Sequence, residues 1–260
     1  MNIKSILLTG DDGYDAIGTK LLVYLLKDKY DLKIAATRDH MSGVGGHIDF
    51  ASGGKFWIKE VDGVEAFVVN KMPVDAIEAA QAHFNKKFDL IISGVNWTEN
   101  VGPTLVSSGT FSAVVRGIGI DLADRGIAMS WRIPEKFKHI DPNDADLEMF
   151  KKYPGEMILR TLNYILDNEL WNAEILNINF PTTDSEKYKF TKLLTHLERY
   201  YKYPIDLDYE LGKFVYPGGL DIKETDNDFD AIALDQGHIS ITPCRRNYMD
   251  EELYQKLTGK

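Results

Sequence analysis

Two rhythms of apolar residues run through this chain. Ile6-Leu7-Leu8, Leu32 to Thr37 and Asp89-Leu90-Ile91-Ile92-Ser93 contain short unbroken apolar runs, the pattern of strands buried on both faces. Between the first two, Leu21, Leu22, Leu25 and Leu26 recur at helical spacing within a segment from Ala16 to Lys29. This is a βαβ opening, which implies a parallel sheet with right-handed crossovers. A Gly-rich loop, Ser42 to Gly46, then leads into Phe56-Trp57-Ile58 and Ala66-Phe67-Val68-Val69, which alternate like a hairpin. Pro73 starts a helix through Ala82. Beyond the Asp89 strand, a helix is expected from about Thr110 to Arg116 and a strand from Gly126 to Ser130.

Residues 131–153 are charged and weakly patterned and read as a surface connection. A helix from Pro154 to Leu166 and strands at Ile175–Phe180 and Gly237–Pro243 continue the alternation. From about Tyr188 to Tyr216 the pattern is aromatic-rich and strand-like, broken by Pro204 and Gly212, which suggests an extended hairpin or arm. The expected architecture is one α/β domain over residues 1–260. Its sheet is doubly wound, mainly parallel and Rossmann-like, and a β-rich C-terminal arm protrudes at about 188–216.

Composition narrows the partners. A formal net charge of −10 opposes a nucleic-acid polymer, which clustered Lys and Arg would have to neutralise. It does not oppose a single nucleotide held through a metal. The one cysteine, Cys244, excludes an internal disulfide, fits a reducing compartment and sits in a strand-like run as a buried, inert thiol. No apolar stretch approaches the ~20 residues of a membrane span. Met1-Asn2-Ile3-Lys4 leads straight into a strand, so a cytoplasmic protein without a signal peptide is expected.

The chemistry gathers at strand ends. Asp11 and Asp12 follow the first strand, Ser42 the second, and Asn96 the Asp89–Ser93 strand. In a parallel sheet those ends share one edge, where ligands bind. Adjacent carboxylates repel, and a hard divalent cation with oxygen ligands holds such a pair together. Each residue also has an ordinary reading: Asp11-Asp12-Gly13 as a solvated turn, Ser42 as a turn cap, Asn96 as a left-handed turn residue. Ser107-Ser108-Gly109-Thr110 opens a helix, and its free N–H groups suit a phosphate, although a plain N-cap has the same composition. Together these pieces suggest phosphate monoester hydrolysis. There a cation polarises a phosphoryl oxygen and acidifies water, and one aspartate orients that water or takes its proton.

These blocks resemble the SurE (survival protein E) nucleotidases. Ile6-Leu7-Leu8-Thr9-Gly10-Asp11-Asp12-Gly13 with Gly18 resembles that family's N-terminal signature, and Ser42-Gly43 its Ser-Gly after the second strand. Ser93-Gly94-Val95-Asn96, Asn100, Gly102 and Ser108-Gly109-Thr110 resemble its central block. Leu176 to Pro181 and Ile239 to Pro243 resemble its two later motifs. The resemblance implies a phosphatase acting on nucleoside 5′- or 3′-monophosphates. It implies one divalent ion per subunit, Mg²⁺ or Mn²⁺, held by Asp11, Asp12, Ser42 and Asn96, with phosphate near Asn100, Ser108, Gly109 and Thr110. Asp11 and Asp12 would then be the catalytic residues. It also implies a homodimer or homotetramer assembled through C-terminal segments, for which 188–216 is the counterpart unless it folds back on its own subunit. Three positions depart from the family: Gly10 stands where Asn is common, and Trp97 and Glu99 occupy a usually smaller, Gly-containing loop.

Rival readings fare worse. A receiver domain needs a carboxylate where the third core strand ends, and here Ser93-Gly94-Val95-Asn96 stands. A haloacid-dehalogenase-type phosphatase needs its aspartates one residue apart, and these are contiguous. A dinucleotide-binding Rossmann domain needs its Gly-rich turn after the first strand. The remaining alternative is a nucleotide- or metal-binding module of the same fold with little or no turnover.

Overall fold

A computed structural model describes residues 3–168, 170, 173–202, 205–216, 219–247, 249 and 251–258. Pro204, read above as a break in the arm, lies outside the described residues, as do Met1 and Asn2.

The first half builds β1 (Ser5–Thr9), α1 (Ile17–Leu26), β2 (Asp31–Thr37), β3 (Phe56–Val61), β4 (Val64–Val69), α2 (Pro73–Phe84) and β5 (Leu90–Asn96). The second builds α3 (Gly109–Gly119), β6 (Gly126–Trp131), α4 (Glu148–Lys151), α5 (Gly155–Asp167), β7 (Ile175–Phe180), β8 (Tyr188–Phe190), β9 (Asp206–Asp208), β10 (Lys213–Val215), α6 (Asp230–Asp235), β11 (Ile239–Cys244) and α7 (Glu251–Thr258). Among the described residues, nine strands form one sheet in the order β3-β4-β2-β1-β5-β6-β7-β11-β8. From β4 to β7 every neighbour is parallel. The antiparallel pairs, β3 with β4 and β7 with β11, lie outside that block.

The two-residue period of the strands divides the core. Ile6, Leu8, Ile34, Ala36, Leu90 and Ile92 face one side, packed with Leu21 and Leu22 of α1 and Ile158 and Leu162 of α5. Leu7, Ala35 and Ile91 face the other, against Ile77 of α2 and Val114 of α3. Helices therefore cover both faces, which is why the central strands read as unbroken apolar runs. Burying each such Leu or Ile contributes ~1.5–3 kcal/mol.

Strand order reverses between β1 and β5, since β1 leads outward through β2 to β4 and β5 leads outward through β6 to β7. The crevice at their carboxyl ends is the topological switch point, where open α/β sheets bind ligands. Gly18 permits it: a Cβ there would stand 2.0 Å from the Val95 carbonyl oxygen, so only glycine lets α1 meet the end of β5.

Two expectations need correction. Residues 131–153 are not a surface connection, because Trp131, Ile133, Ala145 and Phe150 are buried in the main core. Nor does the whole of 188–216 project. Tyr188–Phe190 joins the main sheet beside β11, and Leu194 and Tyr200 are buried with Val101 and Ile232. The exposed apolar hairpin is the shorter piece formed by β9 and β10. Cys244 is half-buried, and burial pushes its thiol up to about 12. Among the described residues no helix is long and apolar enough to cross a membrane.

Candidate active site

Asp11 and Asp12 follow β1 directly and are almost fully buried at the switch point. The Thr110 hydroxyl donates to Asp11 Oδ1 at 2.5 Å. Thr110 lies in the first turn of α3, whose N-cap Ser108 accepts the Phe111 N–H at 3.1 Å through its hydroxyl. Gly109 completes the contact: a Cβ there would fall 2.7 Å from Asp11 Oδ2 and 2.9 Å from Asp11 Cβ. Ser108-Gly109-Thr110 thus brings a helix N-terminus, with its N–H groups and positive dipole end, directly against the first carboxylate.

Asp12 is held from two sides. Its Oδ2 accepts the Trp97 N–H at 2.9 Å, which ties it to the residue after Asn96. Its Oδ1 lies 3.2 Å from His40 Nε2. The Asn96 Nδ2 donates to the Thr98 carbonyl at 2.8 Å, and among the described residues no donor meets its Oδ1.

Ser42 is exposed, and its loop is anchored at both ends. The Met41 N–H donates to the Asp11 carbonyl at 2.7 Å, and the Gly45 N–H to the Ser107 carbonyl at 2.9 Å. Ser42 therefore sits in a loop clamped between the first carboxylate and the start of α3. Gly45 has φ +55°, and a Cβ would meet the Val106 carbonyl at 2.7 Å, so the clamp needs glycine.

Burial, and then the charge of Asp12, push the Asp11 carboxyl up from 3.8 to about 6, while the Thr110 hydrogen bond pulls it down. His40 is raised from its ordinary value by its bond to Asp12. The pair is thus short of positive charge. Among the described residues no group of three or more His, Cys, Asp or Glu side chains gathers as a metal cage. A cation here would need neutral oxygens beside the carboxylates, and Ser42 and Asn96 carry them. Among the described residues, the hydroxyls of Thr9, Thr37 and Ser93, on the adjacent strands β1, β2 and β5, are buried without hydrogen-bond partners. Such an all-oxygen, anionic donor set fits a hard divalent ion.

Asn100 stands at the far side of the crevice in a polar network. Its backbone N–H donates to Asn179 Oδ1 at 2.9 Å, and its carbonyl accepts Nδ2 of both Asn177 and Asn179 at 2.9 Å. Its Nδ2 donates to Ser130 Oγ at 3.0 Å, and among the described residues its other hydrogen meets no acceptor. The alternation of β7 explains this: Asn177 and Asn179 point to the network while Leu176, Ile178 and Phe180 fill the core. The next turn of chain is fastened by Asp230, whose carboxylate accepts N–H groups from Gly102 at 2.7 Å, Leu194 at 2.9 Å and Ala231 at 2.8 Å.

The residues that depart from the resembled family also have partners. Trp97 packs edge-on against Trp131 and Phe150, with ring centroids 5.4 Å away in each case, and so belongs to the core wall. The Glu99 Oε1 accepts from Arg132 Nε at 3.1 Å and from the Tyr201 hydroxyl at 3.4 Å. Arg132 also reaches the Tyr200 hydroxyl and Asp235. Sequence reasoning missed His40, Arg132, Asp230 and the asparagines of β7 as supports. Only the two asparagines, polar positions in an apolar strand, left a signal.

A family profile described as "Survival protein SurE" matches residues 6–202. The chain is 27% identical over 248 residues to a protein of Clostridium botulinum named 5′-nucleotidase SurE, covering 94% of each. It is 27% identical over 266 residues to one of the same name from Caldanaerobacter subterraneus, covering 100% of this chain and 98% of that one. The crystal structure of the SurE protein from Aquifex aeolicus shares the fold, with a TM-score of 0.75, 22% identity and 98% of both chains covered. With the profile spanning most of its length and the fold in agreement, this chain belongs to the SurE family.

Proposed function

We propose that this protein is a divalent-metal-dependent phosphatase that hydrolyses nucleoside 5′-monophosphates, and 3′-monophosphates as a second class, to nucleoside and phosphate. The observation that carries this reading is the contact of Asp11 with Thr110 and Gly109, which joins a carboxylate pair to a helix N-terminus in one crevice. The relatives named 5′-nucleotidase SurE, aligned over nearly the whole chain, support the nucleotide as substrate. In this reading Asp11, Asp12, Ser42 and Asn96 hold Mg²⁺ or Mn²⁺. The bound ion supplies neutralisation of phosphoryl charge and a lowered pKa for water.

The remaining work falls to the chain. The N–H groups of Gly109 and Thr110, with the Ser108 side of the cap and the Asn100 amide, bind and orient the phosphate. Trp97 and His40 fix the two oxygens of Asp12, and Thr110 fixes Asp11, so both carboxylates are set before substrate arrives. One of them accepts the proton of the attacking water at a carboxylate oxygen. The exposed hairpin of β9 and β10 is the surface through which copies associate as a homodimer or homotetramer.

The alternative is a binding module of the same fold with little or no turnover, for which Gly10 and Glu99, the latter as a negative charge near the phosphate, would be the marks. The pairing of Glu99 with Arg132 weakens that case. The deciding test is phosphate release from a panel of nucleoside monophosphates, with EDTA and after restoring Mn²⁺ or Mg²⁺. Release that EDTA abolishes and metal restores is the expected result. Tight nucleotide binding without release under every metal would overturn it.

A further inference from the structure

The loop between Asn96 and Asn100 forms one wall of a wide cleft of about 1140 Å³, which Trp97, Thr98 and Glu99 line together with Arg132, Tyr201, Asp235 and Gln236. Its position follows from the chain. Glu99 lies in that loop and directly precedes Asn100, so it is the acidic cleft residue next along the chain to the phosphate position of the proposed reading.

Glu99 is built as a fixed acceptor. Arg132 Nε and the Tyr201 hydroxyl both converge on Oε1, and Oε2 has no partner among the described residues. The anchor itself is rigid. Only 12% of the Arg132 side chain and 15% of the Glu99 side chain are exposed, and the Arg132 guanidinium lies 5.5 Å from the ring of buried Tyr200. A carboxylate paired this way no longer presents a bare negative charge to a phosphate, yet its free oxygen keeps the strength of a charge-assisted acceptor. Acceptors of this kind discriminate sharply, because a substrate lacking the matching donor leaves a partly buried oxygen unpaired.

We propose that Glu99 is a specificity-determining residue whose Oε2 accepts a hydrogen bond from a sugar hydroxyl of the nucleotide, making the enzyme select ribonucleotides over deoxyribonucleotides. This rests on the nucleotidase reading above and names the feature of the substrate that this chain recognises. The hydroxyl class follows from reach: the pentose is the portion joined to the phosphate, and Glu99 is the cleft residue adjoining the phosphate-side Asn100. Base recognition would fall to groups deeper in the cleft, such as Asp235 and Gln236.

The test compares kcat/KM for adenosine 5′-monophosphate with its 2′-deoxy and 3′-deoxy counterparts, for the wild type and Glu99→Gln, in Mn²⁺. The wild type is expected to favour the full ribonucleotide over at least one deoxy analogue by roughly ten- to hundredfold. In E99Q the neutral amide preserves the shape and weakens the acceptor, so the preference should fall at least about fivefold. Because the readout is a ratio, any effect on the chemistry common to the substrates cancels. A wild-type ratio within about twofold of unity overturns the proposal even if E99Q fails to fold. An undiminished ratio in folded E99Q overturns it as well. p-Nitrophenyl phosphate serves as a sugar-free monoester: release from it with no sugar preference sinks this inference alone. If neither it nor any nucleotide is hydrolysed, the nucleotidase reading fails. The inference is then judged by the same ratios in equilibrium binding.

Discussion

Thr110 donates its hydroxyl to Asp11 and thereby holds, from the first turn of α3, a carboxyl whose burial has already raised it to about 6. A raised carboxyl binds its proton more tightly in the folded state than in the unfolded one. Its contribution to stability is therefore fully present below 3.8 and lost as pH rises through about 6. The two-unit shift corresponds to about 3 kcal/mol at neutral pH. In EDTA, Asp11→Asn is expected to be more stable than the wild type at pH 7.5, by about 1–3 kcal/mol, and to lose the slope between pH 4 and 6. Urea unfolding across that range checks it. Adding Mn²⁺ should reverse the ranking, since a site filled at a hundredfold excess over Kd stabilises by about 2.7 kcal/mol and D11N has lost a ligand.

Two glycines near the carboxylates should respond oppositely to a side chain. At Gly109 a Cβ meets Asp11 Oδ2 at 2.7 Å and Asp11 Cβ at 2.9 Å, so the base of that side chain blocks it as well as its tip. Gly109→Ala should cut turnover by roughly a hundredfold through displacement of one carboxylate. At Gly10 the nearest atom to a Cβ is the Gly94 nitrogen at 3.6 Å, an ordinary contact. Gly10→Asn, the residue common in the resembled sequences, should fold with a stability change under about 1 kcal/mol. Steady-state kinetics and thermal unfolding of both variants test the contrast.

His40 is raised by Asp12, so its stabilising contribution is present below its ordinary value of 6.5 and lost as pH rises past the folded value above it. Nearly half of its side chain is exposed, which limits the effect to under about 1 kcal/mol. Metal-free His40→Ala should be slightly less stable than the wild type at pH 5.5 and equal to it at pH 9. Denaturation midpoints at the two values measure this. Equal losses at both would assign His40 a packing role instead.

Leu207, Leu211 and Phe214 are 58%, 66% and 60% exposed, and Tyr209 and Tyr216 more so, all on or beside one hairpin. Exposed apolar side chains clustered on one hairpin are the kind of surface on which copies of a chain associate. Light scattering should report a homo-oligomer for the wild type. Leu207→Glu combined with Phe214→Glu should shift it towards monomer, with the fold intact by circular dichroism.

The sequence made some of this visible because the physics was local. Strands covered on both faces must be apolar at every position, so Ile6-Leu7-Leu8 and Leu90-Ile91-Ile92 announced themselves. Asp11 and Asp12 stood out because neighbouring carboxylates after such a run are costly without a purpose. What stayed hidden was non-local. Arg132 meets Glu99 across 33 positions and Asp230 meets Gly102 across 128, distances over which no periodicity carries a signal. Residues 131–153 misled because Trp131, Ile133 and Phe150 are apolar but irregularly spaced among charges. The edge order of β11 and β8 was equally illegible, since β8 pairs with a strand formed some fifty residues later.

Asp230 carries a consequence for how the molecule comes into being. Its carboxylate staples the Gly102 turn to the Leu194 segment and to the start of α6. While the chain is still emerging from the ribosome, that staple does not exist until Asp230 has been made, 128 positions after the Gly102 it holds. The crevice is laid down early by the first and fifth strands, but its far wall closes last.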